Sequence, residues 1–206
     1  MANKIITELS AFQKFKESFD FKEKPITNID GIPYCEGLPI LDDQKKFIAE
    51  NEKWINIGYH IKGSLSKILS NLFPYDFTFR GFELKSIESF FQGIKFTDPD
   101  IQKLVFNYSG VHAYHLKGAS DYQWQKTGYL YFQGEPINRY EKEYQNIVDE
   151  LYISAAQNPL YRQALKNVDR PLIHSIGETN PDETVLTKYE YEKQINALVA
   201  FFKTID

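Results

Sequence analysis

Apolar residues recur along most of the chain with the spacing of an α-helix. Residues 7–19 carry apolar side chains three or four positions apart, which predicts a first helix. At residues 98–99 and 158–159 an Asp or Asn precedes Pro, which predicts a capped helix start because Pro already has the backbone angle of a first turn. Similar signals predict further helices over residues 43–52 after Asp42, 110–127 with breaks at Gly110 and Gly118, from Asn138 to about Ala156, and from Thr187 onward, and a short helix or turn over residues 65–72.

Alternation of apolar and polar residues, the pattern of a half-buried strand, is confined to short stretches. Residues 77–84 alternate around Gly81, which predicts a strand or a short hairpin. Further short strands are predicted over residues 32–35, 54–61, 129–132 and 171–176. Because the helical pattern is the more extensive of the two, we expect the α+β class, with a helix-rich single domain and a small β-sheet.

The stretch from residue 86 to residue 96 predicts a short capped helix with one buried face. Ser86 is a favourable N-cap, and apolar residues follow at positions i, i+3, i+4 and i+7. Gly93 lies inside this helix, where it costs about 1 kcal/mol relative to Ala. We expect a compensating reason at this position, namely the close approach of another backbone or of a ligand.

The charged residues of the same stretch have two interpretations. Glu88 and Lys95 lie seven residues apart, so we expect them nearly in line along the helix, beside the buried face, with Gln92 between them. In the structural interpretation, the two charges complement the helix dipole, which is worth about 0.3–1 kcal/mol each. In the functional interpretation, they form one wall of a catalytic site.

Composition narrows the classes of function. The chain has 206 residues and a net charge of -4, and it contains no basic run of the kind that binds a nucleic acid backbone non-specifically. The single Cys35 excludes an intrachain disulfide and indicates a reducing compartment. No stretch has the roughly 20 apolar residues that span a bilayer, and the N-terminus has no leader pattern, so we expect a cytoplasmic protein. Aromatic residues make up 16% of the chain, which indicates either a Phe-rich core with a Tyr-rich surface or rings that line a pocket for a flat ligand.

Several stretches together resemble a known family. Residues 69–74 (Leu-Ser-Asn-Leu-Phe-Pro), Phe77, Gly81 and residues 86–96 are similar to the opening signature of the NADAR family, which includes the bacterial YbiA-like proteins. The chain departs from this family in lacking the Trp that precedes its long helix and the Trp-Gly near its end. Similarity to the later elements of the family is found at residues 139–145, 157–165 and 172–177.

The resemblance implies a domain division and an activity. Residues 65–206 are expected to form an N-glycosidase domain, with residues 1–64 as an N-terminal extension packed on its core. The implied reaction is hydrolysis of an N-glycosidic bond at ribose C1, which either releases ADP-ribose from guanine or cleaves a riboflavin-pathway intermediate carrying ribose phosphate. No cofactor, metal or membrane is expected, and the implied partner is a small nucleotide or ADP-ribose-type substrate, including ADP-ribosylated nucleic acid. Two alternatives are an inactive module that binds ADP-ribose or a nucleotide, and a partner-binding protein with aromatic patches.

Three residues are the candidates for catalysis. Glu88 is expected to act as a general base or to stabilise the positive charge that develops on the sugar. Lys95 either binds a phosphate as a point charge or attacks C1 as an amine. Asp182, which follows Pro181, either orients the base or a ribose hydroxyl or is a turn residue. The candidates for substrate binding are Asn71, Phe73, Gln92, Arg139, Tyr140 and His174.

Several of these candidates have an equally ordinary structural interpretation. Arg139 has the fork geometry that clamps a phosphate, and it is also a typical charge on a helix surface. His174 lies on an apolar strand, where a hydrogen-bonded core histidine competes with a residue at the edge of a site. The rings of Trp124, Tyr129 and Tyr131 either stack on a base or pack within the sheet.

Overall fold

A computed structural model of the chain describes residues 2–116 and 123–205. The helices within these ranges are α1 (Ala2–Ser18), α2 (Ser64–Ile68), α3 (Ile87–Gly93), α4 (Pro99–Phe106), α5 (Gly110–His115), α6 (Gln123–Thr127), α7 (Lys142–Ala155), α8 (Pro159–Asn167) and α9 (Lys188–Ile205). The strands are β1 (Ile26–Ile29), β2 (Ile32–Cys35), β3 (Leu38–Pro39), β4 (Ile55–Asn56), β5 (Phe77–Phe79), β6 (Phe82–Leu84), β7 (Tyr129–Phe132), β8 (Glu135–Asn138) and β9 (Leu172–Ile173).

The prediction of a helix-rich α+β fold is confirmed, although the strands do not form one sheet. Within the described ranges they form four small sheets: antiparallel β1–β2–β3, parallel β4–β9, and the hairpins β5–β6 and β7–β8. Four of the connections are two-residue turns in which both residues have positive φ, as the right-handed twist of a tight hairpin requires. These turns are Asp30-Gly31, Glu36-Gly37, Arg80-Gly81 and Gln133-Gly134.

The core is built around α7, which packs against α1, β5 and α3. Beside it, Phe79, Phe90, Phe106 and Phe132 form a cluster with ring centroids 4.9–6.3 Å apart. Phenylalanine therefore fills the core as expected. Tyrosine does so as well, because several tyrosines are buried and not on the surface: Tyr75, Tyr144, Tyr152, Tyr161 and Tyr191.

The parallel pair β4–β9 joins two distant parts of the chain. Ile55 is opposite Leu172, and Asn56 is opposite Ile173. On the other edge of β9, the Asn196 side chain of α9 accepts from the Leu172 amide at 3.0 Å and donates to the Leu172 carbonyl at 2.9 Å. Helix α9 thus supplies the hydrogen bonds that a neighbouring strand would otherwise supply.

Four of the predicted helix starts are confirmed, and at each the predicted capping side chain accepts a hydrogen bond from a backbone amide of the first turn. The side chains of Ser86, Asp98 and Asn158 accept from the amides of the first turns of α3, α4 and α8. At the start of α9, the Thr187 hydroxyl accepts from the Glu190 amide at 3.2 Å, and the Glu190 carboxylate accepts from the Thr187 amide at 2.8 Å. This reciprocal pair is a capping box.

Two predicted helix starts were wrong because the same residue types also close turns. The Asp42 side chain accepts from the amides of Gln44 and Lys46, both at 2.9 Å, so it caps a turn, and residues 43–52 are not helical. Asn138 ends β8 and accepts from the Tyr140 amide, and α7 begins four residues later at Lys142.

Other predicted elements are shorter than expected. The strands predicted over residues 54–61 and 171–176 are reduced to β4 and β9, and the helix over residues 65–72 is reduced to α2. The helix predicted over residues 110–127 is present as α5 and α6, while its expected break at Gly118 lies outside the described residues.

Residues of the N-terminal region contact the rest of the chain through helix packing, strand pairing and side-chain hydrogen bonds. Helix α1 packs on α7 and α9, and β4 pairs with β9. The division between residues 1–64 and residues 65–206 stays a prediction. Among the described residues, no helix is both long enough and apolar enough to cross a membrane.

Candidate functional site

A cavity of about 730 Å³ opens beside α3. The α3 side contributes Glu88, Gln92 and Lys95 to its lining. The remaining lining residues are Phe91 of α3, Tyr191 of α9, residues of α5 and loops that are far apart in the sequence, at residues 58–60, 70–72, 174–178 and 183–186. The cavity therefore lies where the two halves of the chain joined by β4 and β9 meet.

Glu88, Gln92 and Lys95 form a hydrogen-bonded line along the cavity wall. The Gln92 amide nitrogen donates to Glu88 Oε1 at 2.6 Å, and Lys95 Nζ donates to Gln92 Oε1 at 3.0 Å. Helix α3 ends at Gly93, so Lys95 lies just beyond it, in a turn closed by the bond from the Phe96 amide to the Gly93 carbonyl at 3.0 Å. Gln92 is only 4% exposed, and both ends of its amide serve this line.

Asn71 joins the same wall through its backbone and its side chain. Its carbonyl accepts from the Glu88 amide at 2.9 Å, and its Oδ1 accepts from the Tyr152 hydroxyl at 2.8 Å. Burial raises the pKa of Tyr152 well above its usual value, so this residue remains a neutral phenol that donates its hydrogen. Asn71 lines the cavity, whereas Tyr152 is buried behind it.

His174 follows β9 and lines the cavity from another side. Its backbone amide donates to Glu192 Oε1 at 2.6 Å, and its ring Nδ1 lies 2.9 Å from the Ile57 carbonyl oxygen. Because a carbonyl can only accept, Nδ1 must carry a hydrogen. Burial lowers the pKa of the imidazole, and the nearby Lys188 ammonium lowers it further, which favours the neutral ring.

Tyr191 connects the two sides of the site. Its ring lies edge-on to His174, with centroids 4.9 Å apart, and its hydroxyl donates to the Leu69 carbonyl at 2.8 Å. Burial raises the pKa of Tyr191, and the negative charge of Glu88 adds to that effect. Tyr191 therefore lies within electrostatic reach of Glu88 while it touches His174.

Gly93 has a different reason from the one expected. A Cβ atom at this position would lie 2.4 Å from Cε1 of Phe106, well inside van der Waals contact. The close approach is thus made by a phenyl ring of α4, not by another backbone or a ligand. The glycine lets α3 pack flush against α4 immediately before the turn that carries Lys95.

Arg139 is not among the residues that line the cavity. It is 2% exposed, and its guanidinium donates to both carboxylate oxygens of Glu190 at 2.9 and 2.5 Å and to the Thr184 carbonyl at 3.4 Å. Its guanidinium carbon also lies 4.8 Å from the centroid of the Tyr144 ring. This environment holds Arg139 as a structural ion pair and leaves no open face for a phosphate.

Three more of the predicted residues are not among those that line the cavity. The Tyr140 hydroxyl donates to the Asp182 carboxylate at the surface, where Tyr140 is 56% exposed. Asp182 lies in a turn in which its amide donates to the Asn180 side chain at 3.0 Å. Phe73 packs on Tyr75, with ring centroids 6.2 Å apart. The binding and catalytic roles of these three residues stay predictions, and none of the three lines the cavity.

The predicted stacking rings also lie outside the cavity lining. Trp124 is buried, and Lys95 Nζ lies 5.8 Å from the centroid of its indole. Tyr129 and Tyr131 lie on β7, where they pair with Asn138 and Pro136. Sheet and core packing therefore account for the positions of these rings.

Other residues line the cavity although the sequence did not single them out. Among them are His60 and Glu183, which belong to loops. Glu183 accepts from the Gln125 side chain at 3.4 Å, and the Tyr59 ring lies edge-on to His60, with centroids 5.3 Å apart. No local sequence signal marks these residues, because the long-range pairing of β4 with β9 brings their loops together.

Fold and site together define a small α+β domain with a cavity, lined by both polar and apolar residues, beside a short capped helix. The chain belongs to the family of bacteriophage protein GP30.3, whose family model matches residues 63–200. An uncharacterized 17.1 kDa protein in the Gp30-rIII intergenic region of Enterobacteria phage T4 is 32% identical over 133 residues, which are 63% of this chain and 87% of that protein. No solved structure matches the chain.

These comparisons show that the identification as a NADAR family member was wrong. The family that matches is that of GP30.3, and it covers the same part of the chain on which the resemblance was based. Two of the stretches behind the resemblance contain a capped amphipathic helix, α3 (Ile87–Gly93), and an Asn-Pro helix start at residues 158–159. Both are common solutions to local folding requirements, so unrelated sequences share them.

Proposed function

We propose that the chain is an N-glycosidase that hydrolyses a bond between ribose C1 and a base nitrogen in the cavity beside α3. The observation that carries this proposal is the Glu88 carboxylate, which lies on the cavity wall with one oxygen bound to Gln92. The volume of about 730 Å³ is in the range of small-molecule sites. A nucleoside or nucleotide is of suitable size for such a cavity.

The chemistry follows from the charge that develops on the sugar. As the C1–N bond breaks, positive charge builds on the ribose ring, and a nearby carboxylate stabilises it. Glu88 then accepts a proton from the attacking water, whose oxygen bonds to C1, and the proton is delivered to the departing base nitrogen. Gln92 supports this role by fixing Oε1 of the carboxylate in one direction.

Lys95 is assigned to binding an anionic group of the substrate. Its Nζ lies at the far end of the line from Glu88, with Gln92 between them. In this arrangement the Gln92 side chain is hydrogen-bonded to both the ammonium and the carboxylate that acts on C1. A phosphate attached to the ribose would meet the positive end of the line while C1 meets the negative end.

The proposed substrate is a class of compound, a ribose joined to a base nitrogen. Release of ADP-ribose from guanine and cleavage of a riboflavin-pathway intermediate were implied by a family resemblance that the comparisons overturned, so both enter as test substrates only. A cytoplasmic location is proposed because Cys35 is a buried free thiol, which fits a reducing compartment.

The test is an incubation of the protein with ribonucleosides, their 5′-phosphates and guanine-linked ADP-ribose, followed by chromatography for the freed base. We expect Glu88→Gln to slow release by about 10²–10⁴-fold, the usual contribution of a positioned general base. The matched control is Glu83→Gln, which removes a carboxylate that binds the Thr78 hydroxyl on the β5–β6 hairpin. Full activity in Glu88→Gln would refute the assignment.

A second candidate function is binding of the same ligands without cleavage. It is favoured by the position of Asp182, which was expected as a second catalytic carboxylate and is bound to Tyr140 at the surface. Glycoside hydrolysis commonly uses two carboxyl groups. Calorimetry on the same ligand panel separates the two functions, since saturable binding with no freed base would favour the binding module.

A further inference from the structure

Asn71 presents a hydrogen-bond donor to the cavity because its acceptor atom is already in use. Its Oδ1 accepts from the Tyr152 hydroxyl at 2.8 Å. Tyr152 is fully buried, and its hydroxyl therefore holds the Asn71 amide in one of its two orientations. The amide nitrogen, which can only donate, is the polar atom that this orientation leaves for a ligand.

His174 has the opposite polarity for a similar reason. Its Nδ1 donates to the Ile57 carbonyl at 2.9 Å, so the hydrogen of the neutral ring is located on that atom. The remaining ring atom, Nε2, is then an acceptor. The backbone of His174 is held in place as well, because its amide donates to the buried Glu192 carboxylate at 2.6 Å.

Both groups belong to the surroundings of Glu88. The Asn71 carbonyl accepts from the Glu88 amide at 2.9 Å. His174 contacts the ring of Tyr191, and Tyr191 lies within electrostatic reach of Glu88. Residues that carry a donor, an acceptor and a carboxylate therefore line the same cavity.

A ribose is the ligand whose chemistry matches this arrangement. If Glu88 acts at C1, the groups around it meet the substituents of the neighbouring ring carbons, which in ribose are the 2′- and 3′-hydroxyls. A hydroxyl both donates and accepts, so one can accept from Asn71 while the other donates to His174. A 2′-deoxyribose lacks one of the two and leaves a polar group of the cavity unpaired, which is costly.

We propose that Asn71 and His174 are specificity-determining residues that read the 2′,3′-diol of ribose, with Tyr152 as the positioning residue that sets the polarity of Asn71. The site thereby selects ribonucleosides and ribonucleotides over their 2′-deoxy counterparts. This inference rests on the proposed function for the location of C1, and it adds the sugar to which that function applies.

The test compares equilibrium binding of guanosine 5′-phosphate with that of its 2′-deoxy form, measured by calorimetry on the Glu88→Gln protein, together with the adenosine, cytidine and uridine pairs. For at least one base we expect the ribose form to bind about tenfold more tightly, the scale of one hydrogen bond. Tyr152→Phe and His174→Phe should each bring the ratio towards one. Tyr161→Phe, which removes a buried hydroxyl away from the cavity lining, should leave the ratio unchanged.

The outcomes separate this inference from the function on which it rests. Equal binding of both sugar forms for every base, no binding of any, or a ratio that both Tyr152→Phe and His174→Phe leave unchanged would overturn the inference. If a variant does not fold, the ratio in the parent protein still decides. Ribose-selective binding without any freed base in the wild-type protein would instead overturn the N-glycosidase while supporting the diol site.

Discussion

Two cations, Lys95 and Arg139, were candidates for binding a phosphate, each with an alternative role, and the structure gives them contrasting environments. Arg139 is 2% exposed, and its guanidinium is bound by both oxygens of Glu190. Lys95 is half-buried at a cavity and donates to a neutral amide, the side chain of Gln92. The difference teaches that a buried cation matched by a bidentate carboxylate supports the fold, whereas a cation at a cavity is positioned to meet a ligand.

The largest expected effect concerns the buried pair. Replacing Arg139 with Met leaves the Glu190 carboxylate without its partner, and we expect a loss of about 3–5 kcal/mol in the free energy of unfolding. Urea unfolding followed by circular dichroism measures this loss. The control is Lys85→Met, which breaks the exposed pair with Asp76 and should cost less than about 1 kcal/mol. Equal losses in the two variants would remove the contrast between Arg139 and Lys95.

The next effect concerns the packing of α3 on α4, at the contact between Gly93 and the Phe106 ring. In Gly93→Ala the new methyl group meets the Phe106 ring, and we expect a loss of about 1–3 kcal/mol in the free energy of unfolding. Helix propensity alone predicts a gain of about 1 kcal/mol. Combining Gly93→Ala with Phe106→Leu should recover part of the loss, as measured in a double-mutant cycle. Stabilisation by Gly93→Ala would show that the contact with Phe106 is loose.

A smaller effect on stability, with a clear effect on binding, is expected at Lys95. Because Lys95 is half-buried, Lys95→Met should change the free energy of unfolding by less than about 1 kcal/mol. The same substitution should weaken binding of guanosine 5′-phosphate about tenfold, since it removes the positive end of the line. Guanosine, which lacks the phosphate, serves as the control ligand. Equal weakening of both ligands would exclude the phosphate role of Lys95.

The smallest effect is expected at Asp182. Its carboxylate accepts from Tyr140 at the surface and is not part of the cavity lining. We expect Asp182→Asn to change the free energy of unfolding by less than about 0.5 kcal/mol and to leave turnover of any substrate unchanged. Measurement of base release alongside Glu88→Gln checks this. A similar loss of base release in the two variants would show that Asp182 takes part in catalysis.

The parts of the fold that could be predicted from the sequence are those that a few adjacent residues decide. Ser86, Asp98 and Asn158 cap their helices because each side chain reaches an amide two or three residues ahead. The hairpin around Gly81 is equally local. Asp42 shows the limit of such signals, because the same carboxylate geometry closes a turn when the following residues pair elsewhere.

The candidate site was only partly predictable because distant residues complete it. The spacing of Glu88, Gln92 and Lys95 within one short stretch indicated a shared wall, and they do line one cavity. The opposite loops arrive through the pairing of residues 55–56 with residues 172–173, which no local pattern encodes. The sequence could not show whether Arg139 binds a phosphate or forms a structural ion pair, because its partner Glu190 follows 51 residues later.

The side chains of α9 that bind β9 also have a consequence for self-association. A strand with an open edge is a template on which another chain can add its own strand, and proteins usually block such edges. Here the Asn196 side chain binds both the amide and the carbonyl of Leu172, and the Glu192 carboxylate accepts from the His174 amide two residues later. The edge of this sheet is therefore closed to strand addition by side chains of a helix, without the proline, bulge or surface lysine that commonly serve that purpose.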